Sequence, residues 1–133
     1  MRIGPKATDM SCSHQLNFVP DGHKCGRLHG HSYKVRAWVS CDARCFDPAE
    51  CRSEGLDEPV QWVMDYGELL EACKTEIKDV LCHRHLNDTL EHPTTENLCR
   101  WVWPRIERRL PAHVRLDSIE IHEGEHVCRL DRI

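Results

Sequence analysis

Between Ser32 and Ser40 the chain reads SYKVRAWVS. Tyr33, Val35, Ala37 and Val39 are apolar, the residues between them are mostly polar, and Trp38 is the exception. A period of two describes a strand with one buried and one wet face, so this segment needs a sheet and something packed against it. Val60 to Asp65, VQWVMD, reads as a second strand, and a short strand is expected over Ala7 to His14. Then the period changes. From Tyr66 to Leu81 the residues Leu69, Leu70, Cys73, Ile77 and Val80 fall on one helical stripe with charges opposite. A second helix is expected from Thr94, which follows Pro93 and can cap its free N–H groups. Leu98, Trp101 and Val102 supply its apolar face, and Pro104 should kink it or end its first half. Val114 to Leu130 reads as two further strands joined near Gly124. The order β, β, two helices, β, β predicts an α+β fold, with both helices on one face of an antiparallel four-stranded sheet.

A chain of 133 residues suits one domain, here taken as residues 1–133. Cys41 to Glu58 interrupts the pattern and is expected to be a long, exposed and mobile loop insertion, around residues 41–59. Its thiols Cys41, Cys45 and Cys51 match no common zinc spacing. No apolar run is long enough for a membrane span, and the N-terminal stretch lacks the apolar region of a secretory signal. A formal charge of -4 gives no reason to expect a nucleic-acid partner, and Arg105, Arg108 and Arg109 read as a solvated helix face. Nine cysteines, an odd number without regular spacing, point to a reduced, cytoplasmic compartment. Cys73 and Cys99 sit among apolar helix positions and read as small hydrophobes.

The ten histidines are unevenly placed. His29 and His31 stand two apart at the start of the alternating strand, so both imidazoles project from one face, as adjacent metal ligands require. Gly30 between them removes a side chain from the other face. His14 ends the first expected strand, where an antiparallel neighbour would bring it alongside and complete a three-nitrogen catalytic zinc site. The alternative is a set of ordinary surface histidines. Cys25, between Lys24 and Arg27, lies in surroundings that favour a thiolate. Such a thiolate could be a ligand, but three histidines would leave it free as a base or nucleophile; the alternative is a loop cysteine without chemistry. His83 and His85 close the first helix, where a histidine can simply meet the helix C-terminus.

VPDGHKCGRLHGHSY, WVMDYGEL, LCHRHLND, HPTTEN with its following W-x-W, and IHEGE together resemble the 6-pyruvoyl-tetrahydropterin synthase family. The four-residue step from Cys25 to His29 is the spacing of the branch that makes 6-carboxy-5,6,7,8-tetrahydropterin for queuosine biosynthesis. The resemblance implies the tunnelling fold, whose subunits join sheets edge to edge, and a homo-oligomer, commonly a hexamer of two stacked trimers with active sites between subunits. It implies Zn2+ as the metal, held by His14, His29 and His31, with Cys25 as catalytic proton acceptor and His83 as partner acid/base. Glu123 is implied to hold the pterin ring and join the proton relay, while Thr94, Thr95 and Glu96 line the pterin pocket. The implied substrate is 7,8-dihydroneopterin triphosphate; Lys24, Arg27 and other basic groups are candidates to meet its phosphates, the alternative being ordinary solvated charges. In this branch zinc acts as a Lewis acid on the side-chain hydroxyls, and the products are 6-carboxy-5,6,7,8-tetrahydropterin, acetaldehyde and triphosphate.

The chain departs from the family pattern at Leu81-Cys82-His83, where the family carries leucine-aspartate-histidine. That aspartate orients the histidine; Asp88 or Glu123 is the candidate substitute. Gly124 replaces the threonine that usually follows the late glutamate, the family's N-terminal aromatic residues are absent, and the cysteine-bearing loop is longer than in compact members. Three readings follow. They are a working 6-carboxy-tetrahydropterin synthase, a paralogous synthase with another product, and a zinc-containing pterin-binding protein with impaired catalysis.

Overall fold

The computed structural model describes residues 1–133. Four strands, β1 (Arg2–His14), β2 (His29–Ser40), β3 (Arg115–Glu123) and β4 (His126–Asp131), form one antiparallel sheet in the order β1-β2-β3-β4. β1 is longer than expected because its N-terminal part also pairs with β2, across a register shift at Ile3/Lys6. There Gly4 adopts φ 126°, and a Cβ would stand 2.8 Å from the Ala37 carbonyl oxygen, so a side chain does not fit. β3 and β4 meet at the expected hairpin, with Gly124 at φ 57°.

The expected strand over Val60 to Asp65 is absent. Val63 and Met64 are buried, but the segment bends and lies outside the ladder. Its backbone is satisfied elsewhere: Val60 N–H donates to the Cys45 carbonyl at 2.9 Å, and His113 Nε2 donates to the Val63 carbonyl at 3.1 Å. Asp65 ends the run by capping the first helix, accepting the Gly67 N–H at 2.6 Å.

That first helix runs as α1 (Tyr66–Cys73), a π turn (Lys74–Lys78) and a short α2 (Asp79–Leu81). Leu69, Cys73, Ile77 and Leu81 are all fully buried. A spacing of four drifts by about 40° per step in a regular α-helix of 3.6 residues per turn. The wider π turn winds part of that drift back, so Leu81 and not Val80 completes the buried row. Leu70, expected on the stripe, is 41% exposed.

α3 (Thr95–Glu107) is capped by Thr94, which accepts the Asn97 N–H at 3.3 Å. Pro104 does not end it: Ile106, two residues on, is fully buried within the helix, and the Pro104 carbonyl still accepts the Arg108 N–H at 3.2 Å. Arg108 and Arg109 are exposed, as expected, and Arg105 is half-buried, but the three are not merely solvated. All three converge on the Glu76 carboxylate, Arg109 at 3.0 Å and Arg105 at 3.8 Å, tying α3 to the π turn.

Both helices cover the sheet face carrying Val35, Ala37, Val39, Leu116, Ile119 and Ile121, all fully buried. The segment expected as a mobile exposed loop forms two 3-10 turns, Ala43–Phe46 and Cys51–Glu54. Its thiols Cys41, Cys45 and Cys51 are at most 1% exposed, because a protonated cysteine packs as a small apolar group. Cys73 and Cys99 are likewise buried, and burial pushes their thiols up to about 11 and about 12. No helix is long and apolar enough to cross a membrane.

Candidate active site

The alternation that buries Tyr33 and Val35 continues backwards through His31 and His29 on the same sheet face, where β1 presents Cys12 and His14. Antiparallel register sets His14 directly opposite His29. The three imidazoles of His14, His29 and His31 each offer a nitrogen, all within 4.8 Å of one another. His14 Nδ1 lies 2.9 Å from the Pro93 carbonyl oxygen, and His29 Nδ1 lies 2.6 Å from that of Arg27. A carbonyl only accepts, so both Nδ1 atoms carry the proton and both Nε2 atoms present lone pairs. Those two Nε2 atoms are 3.0 Å apart. Two facing lone pairs at hydrogen-bond distance are satisfied by a shared cation, and ligating histidines usually hold a carbonyl through the other ring nitrogen. Burial lowers the His14 pKa from its ordinary value, favouring the neutral ring a metal needs. The donor set therefore fits a divalent metal such as zinc, with three protein nitrogens and room for a further ligand.

Cys25 is fixed beside this cluster by its own backbone. It sits in a 3-10 turn, Lys24–Gly26, where its N–H donates to His23 Nδ1 at 3.0 Å. Its carbonyl accepts the Leu16 N–H at 2.8 Å, which pins the turn to the end of β1. Pro93, holding His14, immediately precedes the N-terminus of α3, so the metal cluster and Thr94, Thr95 and Glu96 are linked through one carbonyl. The Glu96 carboxyl is held below its ordinary range, chiefly by its own backbone N–H in the first helical turn. Glu123 lies opposite Tyr33 in the β2–β3 register, with its carboxylate 3.6 Å from His31 Nε2.

One cavity of about 780 Å³ is lined by His14, His29, His31, Cys25, Glu123, Thr94, Thr95 and Glu96, with Lys24 and Arg27 at its wall. The sequence did not single out Tyr33, although it continues the His29–His31 alternation. Its hydroxyl lies 3.4 Å from His14 Nδ1, and burial beside Glu123 raises its pKa strongly. His126, from the β4 edge, also lines the cavity and left no signal in the sequence.

His83 is elsewhere. It is the one non-glycine residue at positive φ, 61°, a conformation an L-residue keeps only when its surroundings hold it. The hold is visible: its N–H donates to the Ser11 carbonyl at 2.7 Å. His83 and Cys82 line a cavity of about 600 Å³ that includes neither Cys25 nor Glu123. Asp88 does not line that cavity, whereas Asp9 does. His85 is engaged separately, with Nδ1 3.0 Å from Ser13 Oγ.

The 6-pyruvoyl tetrahydropterin synthase family model matches residues 5–130. A Synechocystis protein named 6-carboxy-5,6,7,8-tetrahydropterin synthase is 33% identical over 103 residues, 75% of this chain and 70% of that protein. A Pyrococcus furiosus protein named dihydroneopterin monophosphate aldolase is 33% identical over 94 residues, 71% of this chain and 80% of that protein. Among solved structures, Caenorhabditis elegans 6-pyruvoyl tetrahydropterin synthase superposes with a TM-score of 0.74 at 17% identity, covering 100% of this chain and 96% of that one. The Plasmodium falciparum synthase gives 0.65 at 14% identity, covering 99% and 97%. These likenesses establish the tunnelling fold that the motifs led us to expect.

Proposed function

Because the chain belongs to the 6-pyruvoyl tetrahydropterin synthase family, we propose that it is a 6-carboxy-5,6,7,8-tetrahydropterin synthase. On this reading it converts 7,8-dihydroneopterin triphosphate to the 6-carboxy product with release of acetaldehyde and triphosphate, in the cytoplasm, for a 7-deazaguanine pathway. The observation that supports it most is the shared cavity, in which a trihistidine cradle, a thiol and a carboxylate face one space. Glu123 accepts two N–H bonds from the amino-pyrimidinone edge of the pterin, a paired contact that fixes its orientation. Thr94, Thr95 and Glu96, at the start of α3, close the wall beside the ring. Cys25 is the base that takes a side-chain proton, carried on a backbone turn held beside the cluster. Zinc held by His14, His29 and His31 supplies Lewis-acid polarisation of substrate oxygens when bound.

His83 is the partner acid/base, and in one chain it shares no cavity with Cys25. The reaction therefore calls for a homo-oligomer in which His83 of one copy faces Cys25 of another; a hexamer of two trimers is the form we propose.

The test is incubation of zinc-loaded protein with 7,8-dihydroneopterin triphosphate, assaying acetaldehyde and the 6-carboxy product, with Cys25→Ala as control. Product from the wild type alone supports the proposal. The likeness to an aldolase named for a monophosphate favours one second reading, cleavage of the side chain to another pterin product, and the same assay separates the two by product identity. Pterin binding without turnover would instead make this a zinc-containing pterin-binding protein.

A further inference from the structure

The cavity around His83 has a lining that acid–base chemistry alone does not call for. Ser11 and Ser32 lie directly opposite each other across β1 and β2, on the sheet face turned away from the helices. Both hydroxyls are exposed, and no group of the chain takes them up. Lys34 and Lys78 stand on the same walls. Lys78 forms no ion pair, and Lys34 has only Asp9, at 3.7 Å, with side chains 48% and 77% exposed. A pair that exposed is worth little and exchanges readily for a better anion. His122 gives Nε2 to Glu120 at 2.9 Å, which leaves its other ring nitrogen available. Gly124 closes the rim without a side chain.

Two ammonium groups, two hydroxyl donors and imidazoles around one opening suit a ligand that only accepts hydrogen bonds and carries several negative charges. A volume of about 600 Å³ is more than one carboxylate or one phosphoryl group fills. The chain as a whole carries a formal charge of -4, so attraction for such a ligand must come from this local set and not from a general field.

We propose that this cavity is the binding subsite for the phosphoryl chain of the substrate, with Lys34, Lys78, Ser11 and Ser32 as its contacts. The inference rests on the shared-site reading above. The pterin ring sits against Glu123 of one copy, while its phosphates lie against the lysines of the copy that brings His83. The cavity thus does two jobs at once, presenting the acid/base and anchoring the leaving end of the substrate beside it.

Calorimetry with inorganic tripolyphosphate, zinc-loaded protein and about 0.1 M salt tests the subsite directly. The double variant Lys34→Gln/Lys78→Gln should bind tripolyphosphate about tenfold or more weakly, the loss expected for charge-assisted hydrogen bonds. Its KM for 7,8-dihydroneopterin triphosphate should rise in parallel, while affinity for unphosphorylated 7,8-dihydroneopterin stays at the wild-type level. Lys78→Arg, which keeps the charge, should retain most of the affinity. Tripolyphosphate binding by the double variant at wild-type strength would overturn the proposal, as would equal losses for phosphorylated and unphosphorylated pterin. Lysine-dependent tripolyphosphate binding by a protein that yields no acetaldehyde would uphold the subsite while refuting the synthase reading.

Discussion

At Cys82 the chain places a thiol where the motif it resembles leads us to expect an aspartate, directly before His83 at φ 61°. A neutral thiol neither orients nor polarises an imidazole well, and neutralising the comparable aspartate of a serine protease costs about ten-thousandfold in kcat. Cys82→Asp is therefore expected to raise kcat for the pterin substrate, with that factor as its ceiling, and to leave KM nearly unchanged. An unaltered rate would mean that another group already orients His83. Asp9 is the only carboxylate lining the same cavity, and neither Asp88 nor Glu123 does so. The opposite test applies to Cys25. Cys25→Ala should lower kcat by about a hundred- to ten-thousandfold, the range for loss of a general base. Zinc content measured by atomic absorption should stay at the wild-type level, because three nitrogens hold the metal without the sulfur. Zinc lost together with activity would reassign Cys25 as a ligand.

Among the elements, the π turn and α3 are joined by a carboxylate that meets three guanidinium groups. Burial pushes the Glu76 carboxyl up, but hydrogen bonds from Arg108 and Arg109 outweigh it and hold its pKa below the ordinary 4.5. A lowered folded-state pKa stabilises the fold fully above the unfolded value and loses that stability as pH falls through the folded one. Glu76→Gln should thus cost about 2 kcal/mol at neutral pH, as expected for charged hydrogen bonds. Urea melts of the two proteins should converge below pH 4.5 as wild-type Glu76 takes up its proton. A gap that stays constant from pH 7 to pH 3 would show that the cluster contributes through packing alone. The π turn also explains why Leu81 and not Val80 takes the fully buried position, Val80 packing only partly against the core: a regular 3.6 period cannot describe a helix whose middle is wider.

For the whole molecule, the separation of Cys25 from His83 makes a sharp prediction. Cys25→Ala and His83→Ala should each keep only low residual turnover alone, yet unfolding and refolding them together should restore a much larger fraction of wild-type turnover, because mixed assemblies contain intact pairs. No recovery, with mixed oligomers shown by mass spectrometry, would place both residues in one chain's site. Metal removal belongs to the same scale. The cradle bridges β1 and β2 and reaches α3 through Pro93, so chelation should lower Tm by several degrees, and excess zinc should restore it.

Local rules carried much of this molecule. The period-two alternation placed Tyr33, Val35, Ala37 and Val39 on the buried face and His29 with His31 beside them, because strand geometry fixes side-chain direction residue by residue. Capping chemistry placed Thr94, and glycine marked the last hairpin. Non-local facts lay outside such rules. Only pairing of β1 with β2 brings the lone pairs of His14 and His29 to 3.0 Å. Only packing buries the thiols of the 41–59 segment, gathers three arginines on Glu76, and sets His83 with Lys34 and Lys78 in a cavity apart from Cys25. Backbone direction and side-chain period are properties of neighbours along the chain; which groups share a space is decided by register and burial between segments far apart in sequence.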